Sequence, residues 1–174
     1  MKSQKRYSNT TFSKRVDHDA GRHRGPQAPS EPAKCVTCGA VYADRRWTVA
    51  GTPKSKSGKH RHWQPQAITV CPGCLKKQEG LAAGLVYLSG DFLPSHRPEI
   101  ERLLTNEAER AVIDNPLAQI MGRETDENGR LVISTTTEHF AQRLGHALEK
   151  AFDGEVRYDF SHENKLARVY WHRD

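Results

Sequence analysis

Cys35-Val36-Thr37-Cys38-Gly39 and Cys71-Pro72-Gly73-Cys74 hold all four cysteines of this 174-residue chain. In each C-x-x-C turn both sulfurs can point at one ion, and glycine eases the tight backbone. Two such knuckles complete a tetrahedral Cys₄ site, the donor set that suits Zn2+. The pairs are separated by 32 residues, more than the common spacing, so a loop must be inserted between them. A zinc ribbon accommodates this when strands hold the knuckles and the loop leaves from a hairpin tip. Ala40–Tyr42, Arg45–Val49 and Ala67–Val70 are the strand candidates.

Other uses of four cysteines weigh less. Disulfides need an oxidising compartment, and no apolar run follows the basic N-terminus as a secretion signal would require. A redox C-x-x-C needs a strand-to-helix context and a single pair. An iron–sulfur cluster takes the same four thiolates, and spacing does not exclude it. A closed Cys₄ site leaves no open coordination position, so it reads as structural. His60 and His62 lie in the insert and are expected to be exposed, since the four sulfurs already fill the ligand count.

The insert is where binding chemistry is expected. It begins after Arg45-Arg46-Trp47 and runs through Lys54, Lys56, Lys59, Arg61 and Trp63, with Lys76 and Lys77 following the second knuckle. Gly51 to Gly58 is too rich in Gly, Pro, Ser and Lys to hold a packed element. Cations on such a loop can follow a phosphate backbone, and aromatic groups among them can stack on bases. Alternation with Val49 places Trp47 in the ribbon core, while Trp63 is open to either role. The order of lysines and glycines is not that of a P-loop.

Charge is polarised along the chain. Residues 1–34 carry net +5, residues 35–80 net +6 and residues 81–174 net −5, for a total of +6. One end therefore reads as meeting a polyanion while the other does something else. Only 36% of residues are hydrophobic and mean hydropathy is −0.79, so part of the chain is expected outside any core. Residues 1–34, with scattered Gly, Pro and charge, read as a disordered basic arm, preferred over an organelle-import leader. No stretch is apolar enough to cross a membrane, and residues 1–80 show no amphipathic basic helix to lie on one.

Residues 81–174 read as a small α+β domain of β-β-α-β-β pattern, a helix on an antiparallel sheet. Leu85–Ser89 is a strand. Ser95 is the expected cap of a helix with Pro98 in its first turn and a stripe of Ile100, Leu103, Leu104, Ala108, Ala111 and Val112. Leu117–Arg123 and Leu131–Thr135 form a hairpin through Asp126–Gly129. Thr135 and Glu138 stand in capping-box register before a helix striped by Phe140, Leu144, Ala147, Leu148 and Ala151. Val156, Tyr158 and Phe160 alternate on one strand, and Ala167, Val169 and Trp171 on the last. One sheet face is left open, to RNA or to protein. Asp91, His96, Glu99, Glu138, His139 and His146 are scattered acid–base groups that make no catalytic set, so an enzyme ranks last.

The knuckles CVTCG and CPGC, the stretch GLVYLSGDFL, the run NPLAQIM and the run ISTTTEHFAQRLGHALEKAF resemble a family of small bacterial zinc-ribbon proteins over about residues 35–172. That family is in turn similar to part of the Nmd-three type adaptor of the large ribosomal subunit, which carries more C-x-x-C pairs and further domains. The resemblance implies a ribosomal or other structured-RNA setting, with Cys35, Cys38, Cys71 and Cys74 as zinc ligands. The expectation is a non-enzymatic, cytoplasmic zinc-ribbon RNA-binding protein in three parts: arm 1–34, ribbon 35–80 and α+β domain 81–174. Its expected partners are RNA, ribosomal RNA first, and ribosomal proteins through 81–174. No membrane and no small-molecule substrate are expected. The alternative is a protein–protein adaptor built on the same ribbon without direct nucleic-acid contact.

Overall fold

A short sheet forms around the first knuckle. The computed structural model describes residues 29–50, 67–161 and 166–174. Strands β1 (Ala33–Cys35), β2 (Val41–Ala43), β3 (Arg46–Thr48) and β4 (Ala67–Thr69) lie in the order β3-β2-β1-β4. β1 runs antiparallel to β2 and parallel to β4. Asp44 and Arg45, both at positive φ, make the two-residue turn between β2 and β3, the backbone that matches strand twist in a tight hairpin. Helix α1 (Pro72–Glu79) follows at once, with Pro72 in its first turn and Gly80, in left-handed conformation, ending it.

Two expectations change here. Ala33 and Lys34, assigned above to the arm, are paired strand residues. The second cysteine pair is not held by a second ribbon strand pair; it opens a helix, and the sulfur of Cys71 caps that helix by accepting from the Cys74 N–H at 3.4 Å.

The second sheet carries the larger core. β5 (Gly84–Ser89) leads through α2 (Phe92–Ser95) to α3 (Arg97–Asp114), then β6 (Ile120–Thr125), β7 (Leu131–Thr135), α4 (Glu138–Phe152), β8 (Glu155–Ser161) and β9 (Leu166–His172). Strand order is β6-β7-β5-β9-β8. β5 therefore lies between β7 and β9, and it runs parallel to β9, so the sheet is mixed rather than antiparallel. The full order is β-α-α-β-β-α-β-β, longer than the expected β-β-α-β-β. Val86 and Leu88, Leu131 and Ile133, and Val169 and Trp171 point to one face, where Ile100, Leu104, Phe140, Leu144 and Leu148 of the helices meet them. Arg143 of α4 ties the two long helices by bonding Glu107 and Asp114 of α3, each at 2.8 Å.

Local ends differ from the sequence reading in a consistent way. Ser95 ends the short α2 instead of capping α3, whose N-cap His96 makes no side-chain cap. Thr137, not Thr135, caps α4, accepting from the Phe140 N–H at 3.3 Å. Thr135 instead turns its hydroxyl to the Gly84 and Thr137 carbonyls. β6 begins three residues later than expected, because Asn115–Gln119 is held as a loop by the Asn115 side chain and by Thr136. On α4, Ala151 is exposed, and Ala141 and Gly145 are buried in its place.

Candidate metal centre

The four sulfurs converge. One donor atom from each of Cys35, Cys38, Cys71 and Cys74 lies within 4.8 Å of all the others, and Cys38 Sγ is 3.6 Å from Cys71 Sγ. Cys35 ends β1, Cys38 follows in the turn, and Cys71 and Cys74 frame the first turn of α1. Cys35, Cys71 and Cys74 are buried and Cys38 is exposed, and all four are free thiols. Thus β1 and β4, parallel neighbours, deliver the two pairs to one point, and the cluster can hold a metal ion.

Hydrogen-bond donors surround the sulfurs. The Cys71 N–H donates to Cys35 Sγ at 3.3 Å. Gln119 Nε2 donates to Cys74 Sγ at 3.8 Å and to the Pro116 carbonyl at 2.9 Å. Such outer contacts orient ligands and temper thiolate charge. Trp47, Val70 and Leu117 pack around the buried cysteines and Ala40. Trp47 is thus a core residue as expected, its ring 5.3 Å from that of Tyr42. Gly73 lets α1 approach residue 117 closely, since a Cβ there would stand 2.9 Å from the Leu117 carbonyl oxygen.

The thiols titrate very differently. Burial raises Cys35, but backbone N–H groups of Cys38, Cys71 and Thr37, with the Cys38 side chain, outweigh it and bring the pKa to about 6. Burial pushes Cys38 up to about 11 and Cys71 higher still. The metal-free cluster therefore keeps protons on Cys38 and Cys71 more readily than on Cys35. A metal needs thiolates, so loading is expected to release at least the two protons of Cys38 and Cys71. An indicator dye in weak buffer measures this, and release of less than one proton would contradict the assignment of those two sulfurs as ligands.

The other expected contact residues divide. Arg45 and Arg46 are exposed at the β2–β3 turn, and Lys77 is exposed on α1. Lys76 is different: its Nζ reaches across to the Thr136 carbonyl at 3.1 Å, and burial lowers its pKa. It joins the two parts of the protein and does not extend a surface patch. Lys54, Lys56, Lys59, Arg61 and Trp63, with His60 and His62, lie outside the described residues.

Sequence reading also missed a polar chain. Ser89 Oγ lies 3.1 Å from His172 Nδ1, and His172 Nε2 lies 3.2 Å from Asp174 Oδ2. The Asp91 N–H donates to Asp174 Oδ1 at 3.4 Å. Only the β5–β9 register, which sets Ser89 beside His172, reveals it. The chain is exposed and pins the segment after β9 to the turn after β5. A groove lies elsewhere, between α3 and β6 along Ala108, Val112 and Ile120.

Fold and site together define a mixed α+β protein with two sheets and a four-cysteine cluster able to hold a metal ion. The chain matches no family model, no curated protein and no solved structure. Among the described residues no helix is long and apolar enough to cross a membrane.

Proposed function

We propose that this chain is a non-enzymatic, zinc-stabilised RNA-binding protein with a ribosomal setting. The observation that carries the reading is where the basic insert is anchored. β3 and β4, which flank residues 49–66, are opposite edges of the four-stranded sheet. The two strands on either side of the insert in sequence therefore stand three inter-strand spacings apart, about 14 Å. Its far end runs through β4 straight into Cys71, so one metal fixes the footing of a segment carrying Lys54, Lys56, Lys59 and Arg61.

Zinc fits the cluster. A tetrahedron with Zn–S bonds of 2.3 Å has sulfur–sulfur edges of about 3.8 Å, against 3.6 Å for Cys38 to Cys71 and no pair beyond 4.8 Å. All four positions are filled by protein, which favours a structural ion over a catalytic one. The resemblance to ribosomal adaptors points the same way for the partner.

Charge reversal of Lys54, Lys56, Lys59 and Arg61 to Glu is expected to weaken RNA binding by two orders of magnitude or more at low salt, since each lost phosphate contact also removes counterion release. Fluorescence anisotropy over a salt series measures it. Unchanged affinity and an unchanged salt slope would defeat the insert's role. In a sucrose gradient, co-sedimentation with ribosomal subunits at low salt that weakens at high salt is expected. Protein that stays at the top throughout would rule out stable ribosome association.

A second reading, a protein adaptor, is favoured by one observation. Val36, just after β1, and Ile68 of β4, the register partner of Lys34, are 63% and 75% exposed. The Ser89–His172–Asp174 chain uses the side chains an acyl-transfer enzyme would use. Labelling of Ser89 by a fluorophosphonate would overturn the non-enzymatic reading.

A further inference from the structure

The five-stranded sheet has a bare face. Both long helices pack on the opposite side, so alternation turns Leu85, Tyr87 and Ser89 of β5, Val132 and Ser134 of β7, and Arg168, Tyr170 and His172 of β9 to this one. His172 is exposed and the others are partly exposed. A sheet face left to water ordinarily carries polar side chains; this one has two tyrosines at its centre.

The planar groups stand in a row. Tyr87 and Tyr170 are register partners on parallel strands, with ring centroids 4.9 Å apart and planes within 11° of parallel. The Arg130 guanidinium lies 5.2 Å from the Tyr87 centroid, and the Arg157 guanidinium lies 4.6 Å from that of Tyr170. The row thus runs Arg130, Tyr87, Tyr170, Arg157. Arg130 is held further by Asp126 at 2.7 Å. Arg157, on edge strand β8, is exposed, with its guanidinium over the Tyr170 ring.

Charge on this face departs from that of the domain. Residues 81–174 carry 16 acids against 11 bases, yet the three inner strands β5, β7 and β9 place no carboxylate here. Glu99, Glu101, Glu107, Glu109, Asp114, Glu138 and Glu149 lie on the helices. On the sheet, acids of this face are confined to the edge strands, at Glu124, Glu155 and Asp159. Across the β8–β9 pair Asp159 faces Arg168 and Glu155 faces His172, whereas Arg157 faces Tyr170.

We propose that this face is a second contact surface for single-stranded RNA, which adds its bases to the row of plates. It rests on the RNA-binding reading above. A nucleobase stacks on the Arg157 guanidinium from the side away from Tyr170, and neighbouring phosphates meet Arg157 and Arg168. Bases stack on guanidinium planes as they do on aromatic rings. Duplex RNA hides its base faces, so the platform selects single strands.

The test compares variants of the full chain on a short mixed-sequence single-stranded RNA and on duplex RNA of the same length, by anisotropy. Arg157→Lys keeps the charge and loses the plane. It is expected to weaken single-strand binding at least about fivefold, the loss of one stacked base, with duplex binding unchanged. Tyr170→Leu is expected to do the same, since it removes the support of that plane and keeps apolar bulk. Arg168→Glu is expected to weaken both RNAs. Thermal melts check that each variant folds, and Arg157→Lys, at an exposed edge position, guards against a folding defect at Tyr170. If Arg157→Lys and Tyr170→Leu bind single strands like the wild type while charge reversal of the insert abolishes binding, the platform is refuted and the RNA reading stands. If the wild type binds neither RNA, both fall.

Discussion

Removing metal from a loaded cluster is expected to unfold the four-stranded sheet and α1 and leave the five-stranded domain folded. The small sheet has strands of three residues each, and its buried set is Cys35, Ala40, Cys71 and Cys74 with Trp47, Val70 and Leu117 around them. That is too little apolar surface to offset the ordering of some forty residues at about 1–2 kcal/mol each. Metal binding is folding free energy in small modules of this kind, so a bound ion is expected to be what holds this one together. The second core of fifteen buried residues contains none of these cysteines. A strong chelator, or Cys35→Ser, should therefore abolish protease resistance in residues 29–50 and 67–80. Most far-UV helical signal should survive, because α3 and α4 have 18 and 15 residues against 8 in α1. The larger domain should still melt somewhat lower, since Leu117, Gln119 and the Lys76–Thr136 bond face the lost module. Loss of all structure in one transition would show that the two cores fold as one. Retained protection in residues 29–50 and 67–80 would show that the ion is not structural.

What the sequence made legible follows from what is local. β7 is found where alternation puts it, and α4 shows its strong apolar stripe. The inward set Ala167, Val169 and Trp171 is buried as read. The four cysteines were legible because C-x-x-C is a local turn and a donor set at once. Helix α1 was not, because Pro72-Gly73 reads as a turn and Leu75-Lys76-Lys77-Gln78-Glu79 has no apolar stripe; its start depends on a sulfur acting as cap. β1 was not legible either, being three residues long and defined by pairing with β4 across the insert. Gln119 gave no signal, for an amide reaching Cys74 is a tertiary event. Neither did the parallel pairing of β5 with β9, some eighty residues apart. That pairing creates both the tyrosine row and the Ser89–His172 contact, so the surfaces that matter most here come from topology rather than from pattern.

Trp171→Ala is expected to be the most damaging single substitution in the larger domain. Trp171 is wholly buried, the largest such side chain. Its Nε1 donates to the Asp153 carbonyl at 2.8 Å, at the residue of positive φ that ends α4. Phe92 meets the indole edge-on at 6.3 Å. Truncation removes the transfer term and leaves a cavity, together about 3–5 kcal/mol, and strands the Asp153 carbonyl, at a further cost of order 1 kcal/mol. In a domain of this size that lowers Tm by about 15 °C or more. Tyr170→Ala is the informative control. It is adjacent in sequence but lies on the bare face, where a stacked pair contributes about 0.5–1.5 kcal/mol, so its effect should be several times smaller. A one-residue slip of β9 would exchange the two faces and reverse the order of the two variants. If Tyr170→Ala proves the more damaging, β9 is out of register, and the row of plates from Arg130 to Arg157 does not exist.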